Sequence, residues 1–175
     1  MPPPRHAAGR GPLAPRTGAL AAALAAASLL AGCGFHLEGH TPLPPLVKRP
    51  YLEAPDRQSD FVRSLRHALL VNGAQLAQER GAGSVVVSIV KDSFVRRVLS
   101  VSALNQPNEY EVTYTVGFTV ISRDRELLPA QEVSATRSYS FDERLQLAKR
   151  HEEDVLRQDM ARDLAERVMR RLSSL

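Results

Sequence analysis

The amino-acid sequence predicts an α+β domain of two layers around a single core. Three observations carry this prediction. Apolar and polar residues alternate strictly from Tyr110 onward, the segment from Asp142 to Leu172 holds no Gly or Pro and repeats apolar residues every four positions, and the elements run in the order β, α, several β, α. A chain of 175 residues, 43% hydrophobic and 24% charged, has the length and composition of one globular domain.

The chain opens with Arg5, Arg10 and Arg16 and no acidic residue, followed by the apolar run Gly18 to Leu30. That run falls short of the roughly 20 residues a spanning helix needs, so an export signal over residues 1–32 fits better than the alternative of a membrane-spanning anchor. Leu30-Ala31-Gly32-Cys33 sets small residues just ahead of the single cysteine and resembles the lipobox of bacterial lipoproteins. The resemblance implies cleavage before Cys33 and acylation of its thiol, which anchors a protein without a transmembrane helix because each buried methylene adds about 0.8 kcal/mol. Gly34 stands where an aspartate would resemble an inner-membrane retention signal, which favours the outer membrane, with the protein on its periplasmic side.

Residues 33–50 follow as a lipidated start and tether, because Gly39, Pro42, Pro44, Pro45 and Pro50 suit neither a helix nor a central strand. A single domain is expected over 51–175. Tyr51-Leu52-Glu53-Ala54 reads as a first strand. Asp56 or Ser59 can cap a helix with Phe61, Leu65, Ala68 and Leu69 on one face and Asn72-Gly73 at its end. Ser84 to Val90 is β-branched and reads as a second strand that extends through Phe94 towards Leu99.

Asn105-Gln-Pro-Asn108 is turn chemistry. Tyr110, Val112, Tyr114, Val116, Phe118 and Val120 then share one face of a third strand, and Arg123-Asp-Arg-Glu126 forms a charged turn. Val133, Ala135, Arg137, Tyr139 and Phe141 alternate along a fourth strand, giving an antiparallel meander. Leu156, Met160, Leu164, Val168 and Leu172, widened by Ala161, Ala165 and Met169, form the buried stripe of a long last helix. The polar face of that helix mixes both charge signs, which suits packing on the sheet better than lying on a membrane.

The formal net charge of +4 depends on the leader: without its three arginines, 20 of the 23 basic residues face 19 acidic ones. A near-neutral domain gives no support to nucleic-acid binding, so any basic site must be local. One cysteine excludes an internal disulfide framework and a thiolate metal cluster. No nucleophile elbow, phosphate-cradling glycine loop or metalloprotease-type histidine pair is present, so neither an enzyme nor a cofactor is expected. His36 and His40 are four apart, but Gly39 and Pro42 oppose the helix that would join them on a metal, and no metal site is expected.

Two basic features stand out. Arg96-Arg97, with Lys91 upstream, lies near the outer end of the second strand, and Lys149-Arg150 lies in the first turns of the last helix. Brought together by the sheet they would form an anion site suited to phosphate. A solvated charged face is the plainer alternative.

The mature start Cys33-Gly34-Phe35-His36-Leu37 resembles that of the LptE (RlpB) family of lipopolysaccharide-assembly lipoproteins. Matching stretches follow in order: Leu70-Val71-Asn72-Gly73, Val87-Ser88-Ile89, Lys91-Asp92, Glu109-Tyr110, Arg137-Ser138, Phe141-Asp142, Leu147-Ala148-Lys149 and Glu152-Glu153-Asp154. The resemblance implies two helices packed on a mainly antiparallel four-stranded sheet. It also implies a one-to-one complex in which the protein plugs the outer-membrane barrel LptD, assists its assembly and helps insert lipopolysaccharide into the outer leaflet.

The resemblance further implies lipopolysaccharide binding through basic residues near the hairpin between the second and third strands and at the entry to the last helix. Here these are Lys149, which matches the family's Ala-Lys position, together with Arg96, Arg97 and Arg150. The hairpin departs from the family pattern over Leu99 to Asn108, with its arginines placed earlier. The same cations would serve contacts with the barrel wall, and the hairpin tip is a candidate contact with barrel loops. The rival reading is a periplasmic lipoprotein of another class, a secretion accessory or a hydrolase.

Overall fold

The computed structural model describes residues 42–81, 84–123, 125–142 and 145–175. The leader, Cys33, His36 and His40 lie outside the described residues. Strands β1 (Pro50–Glu53), β2 (Val85–Val101), β3 (Pro107–Ser122) and β4 (Arg125–Ser140) form one sheet in the order β1-β2-β3-β4. Helix α1 (Asp60–Val71) joins β1 to β2, which run parallel, whereas β2, β3 and β4 are antiparallel. Helix α2 (Gln146–Ser173) follows β4. The fold is the expected α+β arrangement. Its one parallel pair arises because a helix-long crossover carries the chain from β1 back to the same end of the sheet.

Both ends of α1 are set by local chemistry. Ser59 Oγ accepts from the Val62 amide at 3.2 Å and donates to Asp92 on β2 at 2.5 Å, and Tyr114 Oη accepts from the Phe61 amide at 3.2 Å. Two of the amides that a helix start leaves unpaired thus find side-chain oxygens. Burial and the nearby Asp92 charge raise the Tyr114 pKa, keeping its hydroxyl protonated. At the other end Gly73 adopts φ +82°, so the Ala74 amide reaches the Leu69 carbonyl and the Gly73 amide reaches that of Leu70. This is a Schellman stop, which needs a residue without a Cβ penalty in the left-handed region.

The core lies between one sheet face and the two helices. Phe61, Leu65 and Leu69 of α1 and Met160, Leu164, Val168 and Leu172 of α2 cluster with Val85, Val87 and Ile89 of β2 and with Val112 through Val120 of β3. Arg157 Nε donates to Asp60 at 2.7 Å and ties α2 to α1. Leu43 and Val47, within the stretch read as a tether, are buried; Pro45–Val47 forms a single 3-10 turn. The tether reading therefore ends at Leu43, because two apolar side chains there find a place in the core.

Bulges decide which side chains face the helices. In β2 the partner of Phe118 is Ile89 and the partner of Gly117 is Lys91, so Val90 is an extra residue. The alternation reverses there: Val85, Val87 and Ile89 face the core before it, and Asp92, Phe94 and Arg96, paired with Val116, Tyr114 and Val112, after it. Gly117 opposes the bulge, where a Cβ would stand 3.0 Å from Lys91 Cβ. The fourth strand, expected from Val133, already starts at Arg125, inside the stretch read as a charged turn: the hairpin closes at Ser122 and Arg125, and two register shifts carry the strand past Pro129. A proline is admissible because β4 is an edge strand.

Candidate functional site

The far ends of β2, β3 and β4 and the first turns of α2 enclose a cleft of about 170 Å³ lined by Arg96, Tyr110, Tyr139, Phe141, Lys149, Arg150 and Glu153. Each element delivers its side chain through its own periodicity. Tyr110 and Tyr139 are direct cross-strand partners, and Lys149 and Glu153 stand one helical turn apart. Arg96 reaches the same side because of the Val90 bulge. Without that extra residue, parity would turn Arg97 inward and Arg96 outward.

The Arg96 guanidinium lies 4.7 Å from the centroid of the Tyr110 ring, and Tyr110 is braced edge-on by Phe141 at 5.1 Å and by the tilted ring of Tyr139 at 5.8 Å. A cation over an aromatic face is attracted by the ring quadrupole, and the aromatic wall limits its rotamers. Arg96 Nη1 donates to Glu153 Oε2 at 2.8 Å, and Tyr139 Oη donates to the same oxygen at 2.5 Å. Burial, with help from the hydrogen bond to Glu153, pushes the Tyr139 hydroxyl up to about 12. Lys149 Nζ pairs with Glu152 at 2.7 Å. Arg150 is exposed and makes no hydrogen bond or ion pair among the described residues.

Three of the five basic residues singled out in the sequence therefore converge: Arg96, Lys149 and Arg150 share the cleft. Arg97 does not; its side chain lies on the outer sheet face, 70% exposed, and pairs with Glu111 of β3 at 2.7 Å. Lys91 likewise faces out and pairs with Glu132 of β4 at 3.0 Å. Residues that sequence reasoning assigned to the core or left without a role complete the site: Tyr110, Tyr139 and Phe141 as its wall and Glu153 as its counter-ion. The available signal was the i, i+4 spacing of Lys149 and Glu153 and the run of aromatics at the ends of two alternating strands.

The cleft is smaller than the 300–1,000 Å³ usual for whole small-molecule ligands, and its charged lining suits a compact anionic group. Planar guanidinium donors and an ammonium match phosphate oxygens. A second basic cleft lies at the other end of α2, where Arg167 donates to the Ser134 carbonyl at 3.1 Å beside Arg170 and Arg171. Cations in a last helical turn also complement the helix dipole, which accounts for that group.

Beyond the cleft the β2–β3 hairpin exposes Val95, Val98, Leu99, Val101 and Leu104, the last at 82%. Its tip is closed by the Ser102 amide on the Gln106 carbonyl at 2.7 Å and by Asn105 at φ 59°. The outer sheet face presents Thr113, paired to Thr136 at 3.2 Å, with Ser134, Ser138 and Ser140 alongside.

Residues 47–172 match the family model described as LptE, lipopolysaccharide-assembly. A protein of Photorhabdus laumondii named LPS-assembly lipoprotein LptE is 31% identical over 143 residues, spanning 81% of this chain and 78% of its own. A solved structure of lipoprotein B from Nitrosomonas europaea aligns with TM-score 0.66 at 28% identity, covering 81% of this chain and 91% of that one. The rare lipoprotein B of Shewanella oneidensis aligns with TM-score 0.64 at 26% identity, covering 72% and 94%.

Proposed function

Given that this chain belongs to the LptE family of lipopolysaccharide-assembly proteins, we propose that it is an outer-membrane lipoprotein, anchored through acylated Cys33, that plugs the LptD barrel in a one-to-one complex and binds lipopolysaccharide phosphate in the cleft. The carrying observation is the convergence of Arg96, Lys149 and Arg150, from β2 and α2, on a cleft walled by aromatics in a domain that is otherwise close to neutral. The phosphates of lipid A are compact, multiply charged and held on an apolar body, so a cleft of headgroup size is sufficient while the acyl chains stay outside it. No covalent step is part of this role.

Support for a protein partner on the sheet side comes from the exposed apolar hairpin, since large exposed apolar side chains grouped on one feature mark contact surfaces. The hydroxyl-rich outer face of β3 and β4 offers hydrogen bonds to a partner wall without the aggregation hazard of an apolar sheet. In this reading the hairpin and outer face meet the barrel, and the cleft receives the lipid.

The cleft half of the reading is tested by binding of detergent-dispersed lipopolysaccharide to the mature protein and to Arg96→Gln and Lys149→Gln. The wild type binds, each substitution weakens binding about tenfold, and added salt weakens the wild type most. Equal binding by wild type and both variants would move the lipid site elsewhere.

A further inference from the structure

We propose that Glu153 is a built-in competitor for the ligand anion of this cleft and thereby a specificity-determining residue: anions of two or more charges displace it from Arg96, and singly charged headgroups do not. The proposal rests on the reading of the cleft as a phosphate site.

The geometry makes Glu153 a stand-in for a ligand. Its Oε2 already occupies the position between Arg96 Nη1 and Tyr139 Oη, at 2.8 and 2.5 Å, that an incoming phosphate oxygen would take. Glu153 is carried by α2, so its effective concentration at Arg96 is that of an intramolecular group, of millimolar order or above. A singly charged headgroup exchanges with it one for one, gains no net electrostatic attraction and loses translational freedom on association.

A phosphate pair, or a doubly ionised phosphate, gains from the exchange. One group replaces Glu153 at Arg96, and the remaining charge meets Arg150, which has no partner among the described residues, and Lys149, whose only ion pair among the described residues is an i, i+3 contact with Glu152. Ion pairs one turn apart on a helix are weak and yield to a stronger anion. Arg96 keeps its place when Glu153 leaves, because Tyr110 holds the guanidinium by stacking and Phe141 braces Tyr110. The cleft is thus preorganised for the exchange and closed to weaker anions before it.

The test uses the mature, lipidated protein in detergent with lipid A carrying two phosphates and with phosphatidylglycerol, whose single phosphodiester carries one charge. The wild type prefers the lipid A by about tenfold; in Glu153→Gln the phosphatidylglycerol binds several-fold tighter and the preference narrows. Glu153→Ala, which removes the carboxylate and leaves Arg96 and Tyr139 in place, shifts the preference in the same direction and decides the matter if Glu153→Gln fails to fold. Binding by the wild type with an unchanged preference in the folded variants overturns the competitor role and leaves the phosphate site standing. If the wild type binds neither lipid, the phosphate site itself fails and the competitor role falls with it.

Discussion

Arg96 and Glu153 stand 57 positions apart in the chain and 2.8 Å apart in the fold, and their pairing joins β2 to the start of α2 at the mouth of the cleft. The pair is 47% and 20% exposed at its two side chains, so water screens much of its attraction. Its importance lies in position: it sets a guanidinium on an aromatic wall beside a carboxylate, the one that the proposed ligand exchange displaces.

Binding and stability should therefore separate at Arg96. Arg96→Gln is expected to change unfolding free energy by no more than about 1 kcal/mol in urea titration, the range of a partly exposed ion pair. The same variant loses about tenfold in affinity for lipopolysaccharide. A large stability loss with intact binding would make Arg96 a structural residue.

Tyr110 carries both properties. Replacing it with Ala removes a cation-π contact, worth about 0.5–1 kcal/mol at such a site, and aromatic contacts worth about 0.5–1.5 kcal/mol each. The expected loss is about 2–3 kcal/mol on those same scales, accompanied by weaker ligand binding. Tyr110→Phe, which keeps the ring, should restore both.

The raised pKa of Tyr139 gives a signed prediction at high pH. Its folded-state value of about 12 lies above the ordinary 10, so the folded state holds this proton more tightly than the unfolded chain does. The stabilisation is fully present below about pH 10 and is lost as the pH rises through the folded-state pKa near 12. An ultraviolet tyrosinate titration should show a component near pH 12 that disappears in Tyr139→Phe.

Two glycines should resist substitution for different reasons. Gly73→Ala forces a Cβ into φ +82° at the end of α1 and is expected to cost about 1–2 kcal/mol. Gly117→Ala brings a Cβ to 3.0 Å from Lys91 Cβ at the bulge, an overpacking expected to cost about 1–3 kcal/mol. Thermal unfolding of both variants checks this, and an unchanged midpoint for either would mean that the backbone there adjusts freely.

The sequence made the regular parts of this fold readable because one physical signal dominated each. Val112 to Val120 alternate on a single face and Met160 to Leu172 repeat every four positions, and both stripes are buried. Ser59 and Gly73 cap α1 as their chemistry suggests. The irregular parts were hidden. A bulge has no signature in composition, so the extra residue Val90, which sends Arg96 inward and Arg97 outward, could not be inferred from residue types. Pro129 and the shifts around it masked the first half of β4 for the same reason. The parallel placement of β1 depends on where α1 delivers the chain, a tertiary fact. Lys149 and Arg150 were visible as cations, but their meeting with Arg96 followed only from the fold.

The exposed hairpin should matter to a partner and little to the fold. Leu104→Asp and Val101→Asp alter side chains 82% and 55% exposed, so stability is expected to move by less than about 0.5 kcal/mol. Recovery of the barrel with these variants should fall if the hairpin contacts it.

Affinity purification of the tagged, lipidated protein from detergent-solubilised outer membranes, with mass spectrometry of what remains after a moderate-salt wash, tests the central claim most directly. The account predicts LptD in near-equal amount to the tagged protein. Its absence from a preparation in which Cys33 is shown to be acylated would contradict the proposed role as the barrel's plug.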